Sequence, residues 1–306
     1  MNSNPAAVRA FRKKIWDYYH EHGRHDLPWR KTRDPYKILV SEIMLQQTQV
    51  ARVFVKYPQF LKEFPTAAAL ATASTGDVLK MWQGLGYNRR ALALKRCAEI
   101  VTEKYGGKFP RTFDELVELP SIGPATAADL LAFAWNIPRP LTETNIRTVY
   151  IHFFFPEREE KRARADKTGR AKISCKVDDK EVWPLVEKTF DREQPREWIW
   201  ALMDYGAMLK KEHRNASGRR SAQYVRQSKF EGSNRELRSN MVKIILGNSG
   251  KNGGGREGDG LSTEALRAQL RSVREKISTA DFNKNLKDLE REGFIFKEGD
   301  LLRIAK

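Results

Sequence analysis

Hydrophobic residues recur at helical spacing along most of the first two hundred residues. Between residues 35 and 57, apolar side chains return every three or four positions, after an N-cap aspartate and a first-turn proline, Asp34 and Pro35. The same pattern, interrupted by short glycine, proline or serine turns, predicts further helices at 6–22, 67–72, 75–82, 88–104, 113–119, 125–135, 179–190 and 195–210. The sequence therefore predicts a mainly α-helical fold.

The pattern changes beyond Phe230. Helices are predicted at 234–246, 262–270 and 279–292, with a glycine-rich run, GNSGKNGGGREGDG, after the first of them. Two short stretches at 294–297 and 301–304 predict a hairpin. Three helices that close on a hairpin are typical of a small winged-helix-like α+β module, although a helical cap gives a similar pattern. We therefore place a domain boundary between residues 1–229 and 230–306.

The net charge of the chain bears on its function and not on its fold. The 306 residues carry a formal net charge of +17, which favours a polyanionic partner, with nucleic acid preferred over a membrane surface. No apolar run is long enough to span a bilayer and the N-terminus lacks a secretory apolar segment, so we expect a cytoplasmic, nucleoid-associated protein. The two cysteines, Cys97 and Cys175, support neither a disulfide framework nor a four-thiolate metal site.

Two segments concentrate basic residues. The insertion at 157–172 is basic and poor in hydrophobic residues, which is typical of a mobile loop. The segment 210–229 is either a loop that follows a phosphate backbone or a solvated linker, and its charge, nearly all of one sign, favours the loop. Its basic residues are Lys210, Lys211, Arg214, Arg219, Arg220, Arg226 and Lys229.

Glu42 places a carboxylate inside the largely apolar helix predicted at 35–57. If that face is covered, its apolar neighbours desolvate the carboxyl group and raise its pKa toward the range of a general acid. The alternative is a glutamate at the rim of a packed face. The uncharged polar run 46–49 that follows suits contact with base edges, and it is equally typical of a solvated face.

A second constellation begins at residue 119, where LPSIGPATAADLLAFAW predicts a helix, a tight turn and a helix. We expect Gly123 to take a positive φ and Pro124 to start the new helix, whose first N–H groups then form an anion site without a charged side chain. Such a hairpin binds one DNA phosphate regardless of sequence. An ordinary helix corner is the alternative, and the basic charge together with Glu42 favours the phosphate site.

LTETNIRTV, at 141–149, adds a second carboxylate, Glu143, beside Asn145. Cleavage of an N-glycosidic bond needs an acid that protonates the leaving base and a negative group near the oxocarbenium-like sugar. Glu42 and Glu143 are the candidates for these two roles. The alternative for Glu143 is a helix-start carboxylate that interacts favourably with the helix dipole.

The motifs LPWRKTRDPYKILVSEIMLQQTQV, GLGYN, LPSIGPATA, ETNIRTV and MDYGAM, in this order, resemble those of the MutY-type adenine DNA glycosylases of the helix-hairpin-helix superfamily. The resemblance covers roughly residues 8–210. It implies a six-helix lobe at about 30–140, a second lobe from 1–29 with 141–229, and double-stranded DNA across the cleft with the target nucleotide flipped. It also implies a monomer that removes adenine opposite 8-oxoguanine or guanine.

The resemblance also implies roles for individual residues. Glu42 falls on the family's general acid, Glu143 on an aspartate that stabilises the sugar cation, and Asn145 on the position that accompanies it. The implied base-pocket positions are Leu27, Trp29, Arg30 and Trp200, and Trp200 stands where relatives usually offer a polar side chain. The implied DNA contacts are Gln47, Thr48 and Tyr87 beside the opposing base, Ile122, Gly123 and Ala125 in the hairpin, and Lys210, Arg219 and Arg220 in the basic loop.

The departures from the family pattern set further expectations. Most relatives carry a four-cysteine run that binds an iron–sulfur cluster, and because no cysteine follows Cys175 we expect no cluster, no other metal and no cofactor. Ala125 stands where lyase-type cousins place a Schiff-base lysine, so a monofunctional enzyme is expected. The tail does not resemble the Nudix-like domain of many relatives. A thymine or uracil mismatch glycosylase, and a non-catalytic DNA-binding protein on the same scaffold, are the alternatives.

Overall fold

A computed structural model describes residues 4–156, 176–248, 260–273 and 277–305. The loop predicted at 157–172 and most of the glycine-rich run lie outside these ranges. The helices are Pro5–His22 (α1), Pro35–Leu45 (α2), Val50–Glu63 (α3), Ala67–Thr72 (α4), Thr75–Trp82 (α5), Arg89–Tyr105 (α6), Phe113–Val117 (α7), Pro124–Trp135 (α8), Thr144–Phe154 (α9), Asp179–Thr189 (α10), Pro195–Glu212 (α11), Ala216–Arg219 (α12), Asn234–Asn248 (α13), Thr263–Val273 (α14) and Thr279–Arg291 (α15). The strands are Leu261–Ser262 (β1), Ile295–Glu298 (β2) and Leu301–Ile304 (β3).

The chain forms two compact units. The first comprises Met1–Ile38, Arg111–Val117 and Ile122–Arg226, and the second comprises Leu39–Pro110, Glu118–Ser121 and Gln227–Lys306. In the described part of the chain, no helix is both long enough and apolar enough to cross a bilayer.

The first unit is organised around α11, which packs against α1, α8 and α9. Trp198 of α11 is fully buried, and its ring meets the aromatic face of α1 at centroid distances of 6.1 Å from Phe11 and 5.6 Å from Trp16. Aromatic rings bury large apolar areas, so this cluster holds α1 and α11 together. The resulting frame carries the 3₁₀ turn Pro28–Arg30 and the start of α9, where several predicted site residues lie.

The second unit combines α3–α6 with the C-terminal module. In its core, α4 and α5 pack on α6, and Phe60, Leu70 and Trp82 are fully inaccessible to solvent. The module itself runs α13, β1, α14, α15, β2 and β3, and its three strands form an antiparallel sheet in the order β1-β3-β2. This is the order of elements in a winged-helix domain, so the predicted fold class is confirmed.

The structure differs from the prediction in several places. The helix predicted at 35–57 is two helices, α2 and α3, because Gln47 takes a left-handed conformation with φ 54° and ends the helical path. Periodicity alone also does not predict α9, which enters the prediction only as the alternative helix-start role of Glu143, because its sequence is rich in β-branched and aromatic residues with weak helix propensity. Strand β1 has only two residues and leaves no alternation to detect.

Candidate functional site

Glu42 lies in α2, the helix predicted to carry the acid. Asp34 begins this helix, accepting a hydrogen bond from the Tyr36 amide at 2.9 Å. Ile43 and Met44 beside Glu42 are 0% exposed, whereas Glu42 is half-buried. The local sequence therefore holds one carboxylate at the boundary of a packed apolar core, where a partly desolvated acid is positioned on a rigid element.

Glu143 begins α9 as its N-cap. Its Oε1 accepts hydrogen bonds from the backbone N–H groups of Asn145 at 2.9 Å and of Ile146 at 3.3 Å. These are two of the amides that a helix start leaves without an intrahelical partner. Glu143 is therefore a carboxylate at a helix start, as the alternative interpretation of the sequence predicts. The two hydrogen bonds also fix the position of this carboxylate.

Asn145 and Lys210 lie next to this cap. Lys210 Nζ donates to Asn145 Oδ1 at 2.6 Å, and burial lowers the pKa of Lys210 while the charge of Glu143 opposes that shift. Gly206, one turn before Lys210 on α11, lets the two helices approach: a Cβ at this position would lie 2.4 Å from the Asn145 carbonyl oxygen. Lys210, predicted to contact DNA, thus lies in the Glu143 and Asn145 group.

The four predicted base-pocket residues lie in the first unit. Trp29 is buried and Leu27 is half-buried at the 3₁₀ turn. The Arg30 guanidinium lies 5.2 Å from the Trp200 ring centre, and Trp200 packs on Phe133 with centroids 5.3 Å apart. Arg30 and Trp200 are therefore brought together, and Trp200 is 7% exposed.

Asp204, which the sequence analysis did not single out, fixes Arg30. Its two oxygens accept from Arg30 Nη1 and Nη2 at 2.7 and 2.8 Å, and Arg24 donates to it through its backbone N–H at 2.9 Å and its Nε at 2.7 Å. Burial alone raises the pKa of this carboxyl group, but the hydrogen bond and charge of Arg30, with the charge of Arg24, outweigh burial and hold the pKa below its ordinary value.

We expect Asp204→Asn to lower the free energy of unfolding by about 2–3 kcal/mol at pH 7, because the amide leaves two arginines without a buried counter-charge. A carboxyl group with a lowered pKa in the folded state stabilises the fold above its unfolded pKa and loses that contribution as pH falls through its folded pKa. Urea unfolding of both proteins at pH 7 and at about pH 3 should thus show the difference shrinking in acid.

Asp26→Asn is the matched control for this prediction, because the Asp26 side chain is 100% exposed. It should leave the free energy of unfolding unchanged, within the error of the measurement, at either pH. A difference between Asp204→Asn and the natural protein that stays constant from pH 7 to acid contradicts the assignment of an ionised, paired Asp204.

Gln47 and Tyr87, the predicted wedge residues, share an uncommon backbone conformation. Their φ angles are 54° and 47°, in the left-handed region that non-glycine residues rarely adopt. Gln47 is exposed in the break between α2 and α3, and Tyr87 is half-buried before α6. Such conformations persist only when the surroundings determine them and are common at functional sites.

A buried arginine supplies those surroundings. Arg90 of α6 is 8% exposed, and burial lowers the pKa of its guanidinium to about 10. Its Nη1 donates to the carbonyl oxygens of Ile43, Met44 and Gln46 at 2.7, 3.0 and 2.5 Å. Its Nη2 donates to the carbonyl oxygens of Leu85 and Gly86 at 3.0 and 2.9 Å and to Thr48 Oγ1 at 3.1 Å. One side chain therefore joins the segments that carry Gln47, Thr48 and Tyr87, inside the second unit.

The hairpin differs from its prediction in one detail. Gly123 caps α8 with φ −83°, and the left-handed residue of the turn is Ser121, with φ 65°. The expectation of a positive φ at Gly123 is therefore wrong. Ile122 is buried, Gly123 is exposed and Ala125 is half-buried, and the first turn of α8 contains no acidic residue. The N–H groups in the first turn of α8 are therefore arranged as at other helix starts that bind an anion.

The basic segment after α11 is organised by main-chain contacts. Val177 N–H donates to the Arg220 carbonyl at 2.8 Å, and Ala222 N–H donates to the Val177 carbonyl at 2.9 Å. Arg220 Nη1 donates to the Phe155 carbonyl at 2.7 Å, whereas Arg219 is exposed. Of the three predicted basic contacts, Arg219 is thus the exposed one, with its Nη2 donating to the Arg214 carbonyl at 2.8 Å.

The residues of this chain do not fit a four-cysteine iron–sulfur site. The sequence has two cysteines, and Cys97 lies in the core of the second unit, where burial raises its thiol pKa to about 12. No group of three metal-ligating side chains occurs among the described residues.

The sequence of this chain is similar to those of known proteins. Residues 40–174 match the model of the HhH-GPD superfamily base excision DNA repair proteins. An adenine DNA glycosylase of Buchnera aphidicola subsp. Baizongia pistaciae is 34% identical over 199 residues, which cover 65% of this chain and 52% of that protein. An adenine DNA glycosylase of Mycobacterium tuberculosis (strain CDC 1551 / Oshkosh) is 37% identical over 192 residues, or 62% of this chain and 59% of that one.

A solved structure of a thermostable thymine-DNA glycosylase matches with a TM-score of 0.55 and 25% identity, covering 68% of this chain and 89% of the other. The chain spans between half and three fifths of the two curated relatives. These matches confirm the predicted resemblance to MutY-type glycosylases and the helix-hairpin-helix fold.

Proposed function

We propose that this chain, of which residues 40–174 match the model of the HhH-GPD superfamily base excision DNA repair proteins, is a DNA N-glycosylase that releases adenine from a mismatch. The observation that carries the proposal is the half-buried Glu42, set among inaccessible apolar residues within the segment that matches the family. A partly desolvated carboxyl group there has the character of a general acid.

In the proposed reaction, Glu42 donates a proton to a ring nitrogen of the flipped adenine. The bond between the base and C1′ of the deoxyribose then breaks, its electron pair leaves with the base, and positive charge develops on the sugar. The carboxylate of Glu143, held by two N–H groups at the start of α9, stabilises that charge. Water adds to C1′ and loses a proton, which restores the acid.

The proposal also assigns the contacts with DNA. The start of α8 binds a backbone phosphate through its N–H groups, and the exposed Arg219 adds charge. Gln47 and Tyr87 enter the base stack opposite the flipped nucleotide, and we propose 8-oxoguanine or guanine as the opposing base. Because Ala125 offers no amine at the hairpin, the enzyme leaves the strand intact after base release.

Two variants of Glu143 separate its charge from its role as a cap. Asparagine caps helices well, so Glu143→Asn should keep the fold, with a melting temperature within about 5 °C of the natural protein. Because the negative charge is lost, its single-turnover rate should fall about 10–100-fold. Glu143→Asp retains the charge and the cap and should lose less than about tenfold. Equal rates for the Asn and Asp variants would show that the charge is not used.

A panel of duplexes tests the function itself. Adenine is placed opposite 8-oxoguanine, guanine or cytosine, and thymine or uracil opposite guanine, and strands are analysed with and without alkali after single-turnover incubation. The proposal requires release of adenine and strand cleavage only after alkali. Release of thymine or uracil alone selects the second glycosylase activity. Salt-dependent binding without release of any base selects a non-catalytic DNA-binding protein.

A further inference from the structure

Arg235, in the first turn of α13, reaches from the C-terminal module to Tyr87. Its guanidinium carbon lies 4.8 Å from the centre of the Tyr87 ring, and its Nη1 donates to the Tyr87 hydroxyl. Gln227 Nε2 donates to the same hydroxyl at 2.8 Å. Arg235 is itself oriented, because its Nη2 donates to the Ser228 carbonyl at 3.1 Å. All four residues belong to the second unit.

The side chain of Tyr87 is therefore fixed by two arginines from different parts of the sequence. Arg90 determines the backbone of its segment, and its guanidinium lies 5.5 Å from the same ring centre. Arg235 determines the direction of the hydroxyl and contacts the ring electrostatically. Because Tyr87 already holds a strained left-handed φ, small changes in these contacts shift its position.

Arg235 also differs from the nearby arginines Arg89 and Arg238, because its charge is not paired with a carboxylate of the described residues. A cavity of about 320 Å³ lies beside Tyr87 and is lined by arginines of α6 and α13. Arg89 and Arg238 both form ion pairs with Glu292 there, whereas Arg235 forms no ion pair within the described ranges of the chain. The Arg235 guanidinium therefore interacts with the ring and hydroxyl of Tyr87 without competition from a carboxylate of the described residues.

We propose that Arg235 is a positioning residue that sets Tyr87 for reading the base opposite the excised one, so that the C-terminal module takes part in selecting the mismatch. This inference rests on the proposed glycosylase function. It assigns the module a role in specificity through one contact. That contact is distinct from the ion pairs of Glu292, of which the one with Arg89 links the module to α6 and the one with Arg238 lies within the module.

The experiment compares Arg235→Ala, Arg235→Lys, Tyr87→Phe and the double variant Arg235→Ala/Tyr87→Phe. Tyr87→Phe keeps the ring and removes the hydroxyl. Arg238→Ala is the matched control, because Arg238 lies one turn further along α13 and contacts Glu292 instead. Single-turnover rates and dissociation constants are measured for adenine opposite 8-oxoguanine, guanine and cytosine, and melting temperatures show that each variant is folded.

We expect Arg235→Ala to reduce the ratio of rates between the best and worst opposing base by about tenfold. Arg238→Ala should leave this ratio unchanged, and Arg235→Lys should restore part of it. Because Arg235 is proposed to act through Tyr87, the double variant should lose no more than the larger single loss. Additive losses, or a uniform loss for all opposing bases with a weaker salt dependence, would show a simple phosphate contact and overturn the proposal.

The two proposals fail separately. If the natural protein releases no base from any duplex, the glycosylase function fails, and the dependence of the dissociation constants on the opposing base still tests Arg235. If the natural protein releases adenine and the Arg235→Ala ratio equals that of the natural protein, the role of Arg235 fails alone.

Discussion

Replacing Glu42 with glutamine is expected to lower the single-turnover rate of adenine release about 10³-fold, while the dissociation constant for the same duplex changes less than about twofold. Glutamine keeps the size and hydrogen-bonding capacity of the side chain, so α2 and its packing remain. It cannot donate a proton at neutral pH. The loss therefore falls on the chemical step and leaves DNA binding intact, which is the pattern of an interaction made only in the transition state.

Glu63→Gln is the control for this result, because Glu63 ends α3 as an exposed glutamate of the same unit. Its rate should match that of the natural protein. Rates should be measured with enzyme in excess, so that product release does not hide the chemical step. A Glu42→Gln protein that retains more than about a tenth of the natural rate would show that another group protonates the base.

The sequence predicts what depends on local patterns. Asp34 and Pro35 identify the start of α2, and the structure confirms both the cap and the apolar surroundings of Glu42. Helix starts and periodic apolar residues depend on neighbours a few positions away, and such neighbours are visible in one dimension. The hairpin also begins its second helix at Pro124, within one residue of the prediction.

The sequence does not predict contacts that join distant segments. Asp204 lies 174 positions from Arg30, and nothing in their local sequence indicates that they meet. Arg90 lies 47 positions from Ile43, and arginines are exposed in most contexts, so a buried one leaves no pattern. The contact between Arg235 and Tyr87, 148 positions apart, depends on how the C-terminal module packs within the second unit.

The end of α2 shows why these distant contacts matter for the site. A periodic apolar pattern runs through residues 35–57 and favours one long helix, yet the chain leaves the helix at Gln47. Carbonyl groups at the end of a helix need donors, and Arg90 supplies three hydrogen bonds to them. A tertiary contact thus overrides the local preference and places a polar residue where the periodic pattern predicts helix.

Arg90→Met is accordingly expected to lower the free energy of unfolding by about 4 kcal/mol, the largest stability effect predicted for this chain. Methionine has a similar length but no donors, so buried carbonyl groups at the end of α2 and in the turn before α6 lose their partner. Urea unfolding at pH 7 measures the change. Arg90→Lys should lose less, because an ammonium group still satisfies some of these oxygens.

Arg96→Met tests whether the loss belongs to the buried network. Arg96 lies on the same helix, is exposed and pairs with Glu99, so its replacement should leave the free energy of unfolding nearly unchanged. The folded fraction of Arg90→Met should also bind duplex DNA at least about tenfold more weakly, because Gln47 and Tyr87 lose their common anchor. Weaker DNA binding with unchanged stability would indicate that Arg90 contacts the DNA directly instead of supporting the core. Unchanged DNA binding with lowered stability would show that Gln47 and Tyr87 do not depend on Arg90 for their contact with DNA.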